Sequence, residues 1–441
     1  MNRREFGTSL LGALAAPAAR PRNVVLIMAD DVGYECFGPY GSRQYRTPVL
    51  DRMAGSGVKF THCHSTPLCT PSRVALMTGK SNVRNYADFG TLLPDQYTFA
   101  DLFRKAGYAT AIAGKWQLQG SAHVPGVSPG DAGFDTYCLW NTAMTGRSRY
   151  WNPSLEVNGK IKPVREGDFG PDIFTNFLLD FIERNRHRPF FAYYPMALVH
   201  SPFVPTPDSA NRKSTDGQKN FEDMVAYMDK LVGRITGALD RLGLRRDTIV
   251  IFTSDNGTDH TLRSRLGDRV IRGGKGETTD AATHVPLLVD GPGHVRGGRV
   301  VEDLIHFADF LPTLADIAGA KLPEDLAIDG RSFWPQLRGE KGNPREWLFT
   351  YYFPRPYAER FNSPYSHPEV RWARDHRYKL YGDGRMFDVA ADPEEQRPVE
   401  AGEAAAARRK LQKALDSMPA HGERIPRERS ERAKGVPKPA W

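Results

Sequence analysis

Cysteine is scarce in this chain, with four residues among 441, at Cys36, Cys63, Cys69 and Cys138. A scaffold stapled by disulfides is thereby excluded, because such folds need much denser cysteine. No apolar run is long enough to cross a bilayer as a helix, the N-terminal stretch Leu10 to Ala16 included. No segment repeats at a fixed period, which argues against a repeat architecture. The glycine-rich Arg272-Gly273-Gly274-Lys275-Gly276 lacks the spacing of a nucleotide-binding P-loop. Aromatics are missing from the one strongly basic region. Residues 408–441 carry ten Lys/Arg against four Asp/Glu, most of the formal net charge of +8, yet hold a single aromatic, Trp441. That tail, interrupted by Pro426, Pro437 and Pro439, reads as an extended end, and no nucleic-acid partner is expected.

What is present is the composition of a globular protein, 40% apolar and 25% charged, long enough for one large domain or two. Asn2-Arg3-Arg4-Glu5-Phe6, a short apolar run and Ala16-Pro17-Ala18 together resemble a twin-arginine export signal. That reading implies the twin-arginine machinery as a partner and a periplasmic or exported bacterial protein with no stable membrane span. The expected layout is an export signal over 1–20, an α/β domain over 21–340, a C-terminal subdomain over 341–420 and a basic tail over 421–441.

Apolar runs at 24–29 (VVLIMA), 109–113, 189–197 (PFFAYYPMA) and 248–253 (TIVIFT) read as buried parallel strands. Helices are expected from Pro48 behind an N-cap Thr47, over 98–105, 172–184, 221–242 and around 307–317, where apolar residues recur at helical spacing. The alternation predicts an α/β fold with a mainly parallel central sheet flanked by helices. Residues 119–170, rich in Gly, Pro, Asn and Asp, read as long loops or an insertion shaping a substrate pocket. From Trp347 onward, short aromatic runs at hairpin spacing, with a turn at Gly382-Asp383-Gly384, predict a small antiparallel sheet closed by a helix near 403–415.

Chemistry-bearing residues fall just beyond the apolar strands: Asp30 and Asp31, Lys115, His200, and Asp255 with Asn256. In a parallel sheet that is the edge where ligands bind. The oxygen donors Asp30, Asp31, Asp255 and Asn256 suit a hard cation, Ca²⁺ first and Mg²⁺ second. Lys115, Lys275 and Arg73 would neutralise an anionic ligand, and His200 would protonate a leaving oxygen near neutral pH. Each also has a plainer reading, as a surface lysine, a turn residue or a helix cap. The stretch Leu68 to Gly79 places Cys69 on a tight turn that opens a helix, facing the end where an anion would sit, with Arg73 one turn on. A buried structural cysteine is the alternative.

Cys69-Thr70-Pro71-Ser72-Arg73, followed by Leu76-Met77-Thr78-Gly79, resembles the signature of the formylglycine-dependent sulfatases. The resemblance runs from about Asn23 to about Pro398. It implies the alkaline phosphatase-like fold, oxidation of Cys69 to Cα-formylglycine by a separate maturation enzyme that reads the unfolded chain, and a hydrated aldehyde as nucleophile. It further implies one divalent ion held by Asp30, Asp31, Asp255, Asn256 and the modified Cys69, with Arg73, Lys115, His200 and Lys275 around the sulfate ester. Two departures stand out. Gln117 occupies the place of a histidine that in the family helps release sulfate, so that a different base, His62, His64 or a metal-bound oxygen, would be needed, or turnover would be slow. The loop after Lys275 reads Asp280-Ala281-Ala282-Thr283-His284 in place of a Glu-Gly-Gly-x-Arg pattern. The expected activity is sulfuric ester hydrolysis on a carbohydrate or aryl sulfate. Tyr137, Trp140, Tyr150 and Trp151 are candidate glycan contacts, with a place in the core as the alternative. The alternatives are a phosphodiesterase or phosphonate monoester hydrolase with the same nucleophile, and a catalytically impaired protein that binds sulfated glycans.

Overall fold

The computed structural model describes residues 22–143, 148–358, 366–400, 402 and 404–425. The export-type segment over 1–20 and residues 426–441 of the basic tail lie outside the described residues. In chain order the strands are β1 (Asn23–Ala29), β2 (Val58–His64), β3 (Ala109–Trp116), β4 (Thr136–Asn141), β5 (Leu155–Val157), β6 (Lys160–Lys162), β7 (Phe190–Pro195), β8 (Thr248–Ser254), β9 (Arg263–Leu266), β10 (Arg269–Arg272), β11 (His284–Asp290) and β12 (Arg299–His306). Near the C-terminus come β13 (Leu348–Tyr352), β14 (Val370–Arg374), β15 (Tyr378–Tyr381) and β16 (Met386–Asp388).

Ten strands form the central sheet in the order β12-β2-β11-β8-β1-β7-β3-β4-β5-β6. The middle of that sheet, β8 through β4, is parallel throughout. Only β11 and the β5–β6 edge run against their neighbours. The continuous apolar run of β1 is explained by burial on both faces. Val24, Leu26 and Met28 pack with the helices Cys69–Thr78, Phe99–Lys105 and Phe310–Ala318. Val25, Ile27 and Ala29 pack on the other side with Pro48–Ser56, Gly170–Arg184 and Gly217–Arg241. β13–β16 form a separate antiparallel sheet covered by the helix Ala405–Asp416, through Leu411, Ala414 and Leu415.

Three local expectations need correction. Residues 119–170 are not simply loops, since β4, β5 and β6 extend the main sheet and Cys138, Trp140 and Leu155 enter its core. Strand-forming residues there are too few and too widely spaced by turn residues to stand out. β12 and the β9–β10 hairpin also went unread. β12 carries the charged pair Glu302-Asp303 between the apolar pairs Val300-Val301 and Leu304-Ile305 at the sheet edge, and the hairpin is mostly exposed Arg and Val. β3 does not stop at Ala113 but runs through Lys115 to Trp116. Gly114 permits this, with φ of 125° and a position where a Cβ would meet the Pro195 carbonyl oxygen at 2.0 Å.

Candidate active site

Four adjacent parallel strands, β8, β1, β7 and β3, deliver their carboxyl ends to one place. Asp30 and Asp31 follow β1 directly, Asp255 and Asn256 follow β8, Lys115 is the penultimate residue of β3, and His200 lies five residues past β7. Asp31 sits at φ of 61°, a left-handed turn that Asp tolerates better than most residues. Cys69 is the first residue of its helix, all ten residues of which are buried. Ser72 braces the turn before it: its hydroxyl lies 2.8 Å from Thr66 Oγ1 and donates to the Thr66 carbonyl at 2.9 Å. Gly79 ends the helix in the left-handed conformation, its N–H donating to the Ala75 carbonyl at 3.0 Å.

The side chains form one buried ionic group. Cys69 Sγ lies 3.5 Å from Asp30 Oδ1 and 3.6 Å from Asp31 Oδ1. Arg73 donates twice to Asp255 Oδ2, at 2.6 and 3.1 Å, and once to Asp30 Oδ1 at 3.3 Å. Lys115 Nζ bridges both oxygens of Asp30 at 3.0 and 2.9 Å, and Lys275 Nζ reaches Asp31 Oδ2 at 2.5 Å. His200 Nε2 is 3.4 Å from Asp31 Oδ2 and 3.2 Å from Lys275 Nζ. Three carboxylates thus face three permanent cations, and the set is close to neutral before any ion or substrate enters.

Burial and charge set the protonation states. Burial opposes ionisation of Asp30, but Lys115, His200 and Arg73 outweigh it and hold the carboxyl well below the usual range. Asp255 goes the other way, raised to about 7 by burial and by the Asp30 charge, against the pull of Arg73. Burial, then the Asp255 charge, pushes the Cys69 thiol far up, so an unmodified Cys69 is a protonated thiol at neutral pH and a poor nucleophile. Burial and the Lys275 charge outweigh Asp31 and lower His200 to about 4. This corrects the expectation of a histidine titrating near neutrality. His200 is a neutral imidazole there, and Lys275 is the cation beside it.

The donor set fits a divalent cation. Asp30, Asp31, Cys69 and Asp255 each offer a ligand atom, and these atoms lie within 4.8 Å of one another. Asn256 donates to Asp31 Oδ1 at 2.8 Å, while its buried Oδ1 has no hydrogen-bond partner, a cost that a cation would remove. Carboxylates and an amide carbonyl are ligands for Ca²⁺ or Mg²⁺. A dication would also offset the crowding of carboxylates that raises Asp255 to about 7.

Other expected residues are placed differently. Gln117 stands beside the Cys69 turn, its Oε1 accepting from Thr70 Oγ1 at 3.3 Å. His62 and His64 do not serve as its substitute. Their contacts are with Thr283 and with the rings of His284 and His376. Trp140 and Tyr150 are core residues rather than exposed glycan platforms. Sequence reasoning missed Arg149, whose Nη2 lies 2.8 Å from His200 Nδ1 while its guanidinium stacks on Trp140 at 4.3 Å. The one available signal was an arginine set between aromatics, Trp140 and Tyr150-Trp151. All four cysteines are free.

Comparison with known proteins agrees with this geometry. The sequence model of the sulfatase family matches residues 22–320, and that of the N-sulphoglucosamine sulphohydrolase C-terminal region matches 276–421. Human arylsulfatase A is 35% identical, over 78% of this chain and 73% of its own length. Mouse steryl-sulfatase is 34% identical, over 77% and 69%. Among solved structures, Ps i-CgsB superposes with a TM-score of 0.74, covering 92% of this chain and 94% of its own at 24% identity. With the family model spanning most of the chain and a buried Cys69 centred among the carboxylates and cations at the sheet's carboxyl edge, the chain belongs to the sulfatase family.

Proposed function

We propose that this sulfatase hydrolyses the sulfate ester of a carbohydrate or aryl alcohol outside the cytoplasm, with Cys69 acting after conversion to Cα-formylglycine. The observation that carries the reading is the setting of Cys69: a buried thiol held 3.5 and 3.6 Å from two carboxylates at the opening of a helix, where burial opposes its ionisation. Oxidised and hydrated, this side chain supplies one hydroxyl whose oxygen attacks sulfur and displaces the alcohol, and a second hydroxyl whose deprotonation re-forms the aldehyde and expels sulfate together with the first oxygen. A divalent ion held by Asp30, Asp31, Asp255 and Asn256 supplies acidification of that hydrate and charge for the sulfuryl oxygens. Arg73 and Lys115 hold the carboxylates in place and bring positive charge to the same buried site. Lys275 and neutral His200 stand together, 3.2 Å apart, and are assigned to the leaving oxygen. A near-neutral protein set plus a dication leaves net positive charge for an anionic ester and for the sulfate product.

Export through the twin-arginine machinery is supported by Asn2-Arg3-Arg4-Glu5-Phe6 and by the Ala16-Pro17-Ala18 site. A maturation enzyme acting on Cys69 in the cytosol suits a route that moves folded protein. The test is mass spectrometry of the tryptic peptide Phe60 to Arg73, from a host that matures a control sulfatase, with an aryl sulfate and a phosphate diester assayed side by side. The expected result is an aldehyde or its hydrate at Cys69 and faster cleavage of the sulfate. A faithful thiol would overturn the nucleophile, preference for the diester would move the chain to phosphoryl transfer, and full modification without turnover would make it a sulfated-glycan-binding protein.

Gln117 gives a second prediction. Beside Thr70 it can hydrogen-bond but cannot accept a proton, so release of sulfate lacks a base there. Gln117→His is expected to leave Ca²⁺ affinity unchanged and to raise the rate of sulfate release by on the order of 10²-fold. Burst kinetics indistinguishable between the two proteins would remove Gln117 from the reaction.

A further inference from the structure

A cluster of imidazoles lies apart from the Cys69 centre, on the other arm of the sheet. His62 and His64 are two residues apart on β2 and so share a face, and His284 opens β11 directly opposite His64. One ring nitrogen from each lies within 4.8 Å of the others. His62 Nδ1 and His64 Nε2 are buried and have no hydrogen-bond partner, and His64 as a whole is 2% exposed. Two unpaired imidazole nitrogens in one small cluster are costly unless something fills the space between them.

We propose that His62, His64 and His284 form a second cation site, for a transition metal of the Zn²⁺ type, distinct from the oxygen-donor site at Asp30, Asp31, Asp255 and Asn256. Imidazole suits Zn²⁺ and its neighbours, as carboxylate and carbonyl oxygens suit Ca²⁺. The rings are in the form a metal needs, because burial lowers His62 to about 4 and holds His64 well below its ordinary value. Orienting partners are already in place on the far nitrogens. His64 Nδ1 lies 3.2 Å from Thr283 Oγ1, and His284 Nδ1 lies 3.0 Å from Asp280 Oδ2. A histidine ligand held by a carboxylate is the usual arrangement around zinc. Asp280 is itself fixed by Arg374 at 2.5 Å. His284 Nε2 faces the Thr61 carbonyl at 2.7 Å and would exchange that oxygen for the metal. Nitrogens around tetrahedral zinc stand about 3.3 Å apart, so rotation of the rings closes the site without movement of the strands. His376, its ring 4.9 Å from that of His62, brings a fourth imidazole to the open side.

The experiment uses the Cys69→Ala protein saturated with Ca²⁺, so that neither the thiol nor the oxygen site competes. It is titrated with Zn²⁺, and with Co²⁺ for its visible absorption. One equivalent of Zn²⁺ bound, with the intense bands of four-coordinate Co²⁺, is the expected result. His62→Gln, at a half-buried position, is expected to weaken that binding about tenfold or more while Ca²⁺ affinity stays as it was. His64→Gln, at a deeper one, is read in the same way. Absence of Zn²⁺ binding, or binding equal in all three proteins, would overturn the proposal. Both readouts are binding measurements, so they are independent of whether Cys69 is matured or the ester hydrolysed.

Discussion

Cys69→Ala is expected to lower kcat/KM for sulfate-ester hydrolysis by on the order of 10⁴-fold or more, the scale on which enzymes lose a covalent nucleophile. The geometry gives no substitute. The side chains nearest Cys69 Sγ are Asp30 and Asp31, and both are committed to cations, Asp30 to Lys115 and Arg73 and Asp31 to Lys275. The three remaining cysteines are buried elsewhere, Cys36 against Thr258 and Ser264, Cys63 on β2 and Cys138 on β4. Removing one thiol leaves the ionic group intact, so the alanine protein is expected to melt within a few degrees of the parent and to bind Ca²⁺. Steady-state hydrolysis of an aryl sulfate beside a thermal melt separates chemistry from folding. Full activity in a well-folded Cys69→Ala protein would refute the nucleophile.

Arg73→Ala is expected to damage both stability and rate. Its guanidinium is 2% exposed and makes three hydrogen bonds to Asp255 and Asp30, themselves fully buried. Truncation leaves two carboxylates facing each other without their shared cation, a change that costs about 3–5 kcal/mol in buried pairs. The cation-free protein should therefore show a lower urea midpoint at an unchanged slope. Saturating Ca²⁺ should recover part of the loss, because an ion among the same carboxylates replaces some of the missing charge. Activity should fall by roughly 10²–10³-fold even with Ca²⁺ present, as when a preorganised donor is removed from a developing anion. A midpoint corresponding to less than ~1 kcal/mol of destabilisation would show that Arg73 is not the counterion the geometry makes it.

Much of the core was legible because it is written locally. VVLIMA, FFAYYP and TIVIFT are continuous apolar runs, and all three are central strands buried on both faces. The site inherited that legibility, since Asp30, Asp31, Asp255 and Asn256 follow those runs immediately. What escaped depends on partners far along the chain. β12 mixes charge with apolar residues and becomes a strand by pairing with β2, more than 200 residues earlier. Arg149 gains its place through His200, 51 residues away, and the histidine cluster through a register between β2 and β11. The protonation state of His200 was also beyond reach, because its lowering follows from burial beside Lys275 and not from any spacing.

The pairing of β2 also sets a clock. Both of its sheet neighbours, β11 and β12, come from residues 284–306, and Arg73's partner Asp255 is likewise late. During synthesis β2, which leads into the Cys69 turn, lacks its full pair of sheet neighbours until about 240 further residues have left the ribosome, roughly 10–50 s at ordinary elongation rates. Through that interval the thiol is open to an enzyme, and once β2 is flanked it is 2% exposed. An enzyme that oxidises Cys69 before folding, as proposed above, would have tens of seconds per chain, so slower translation between Cys69 and His306 should raise the modified fraction, and faster translation should lower it.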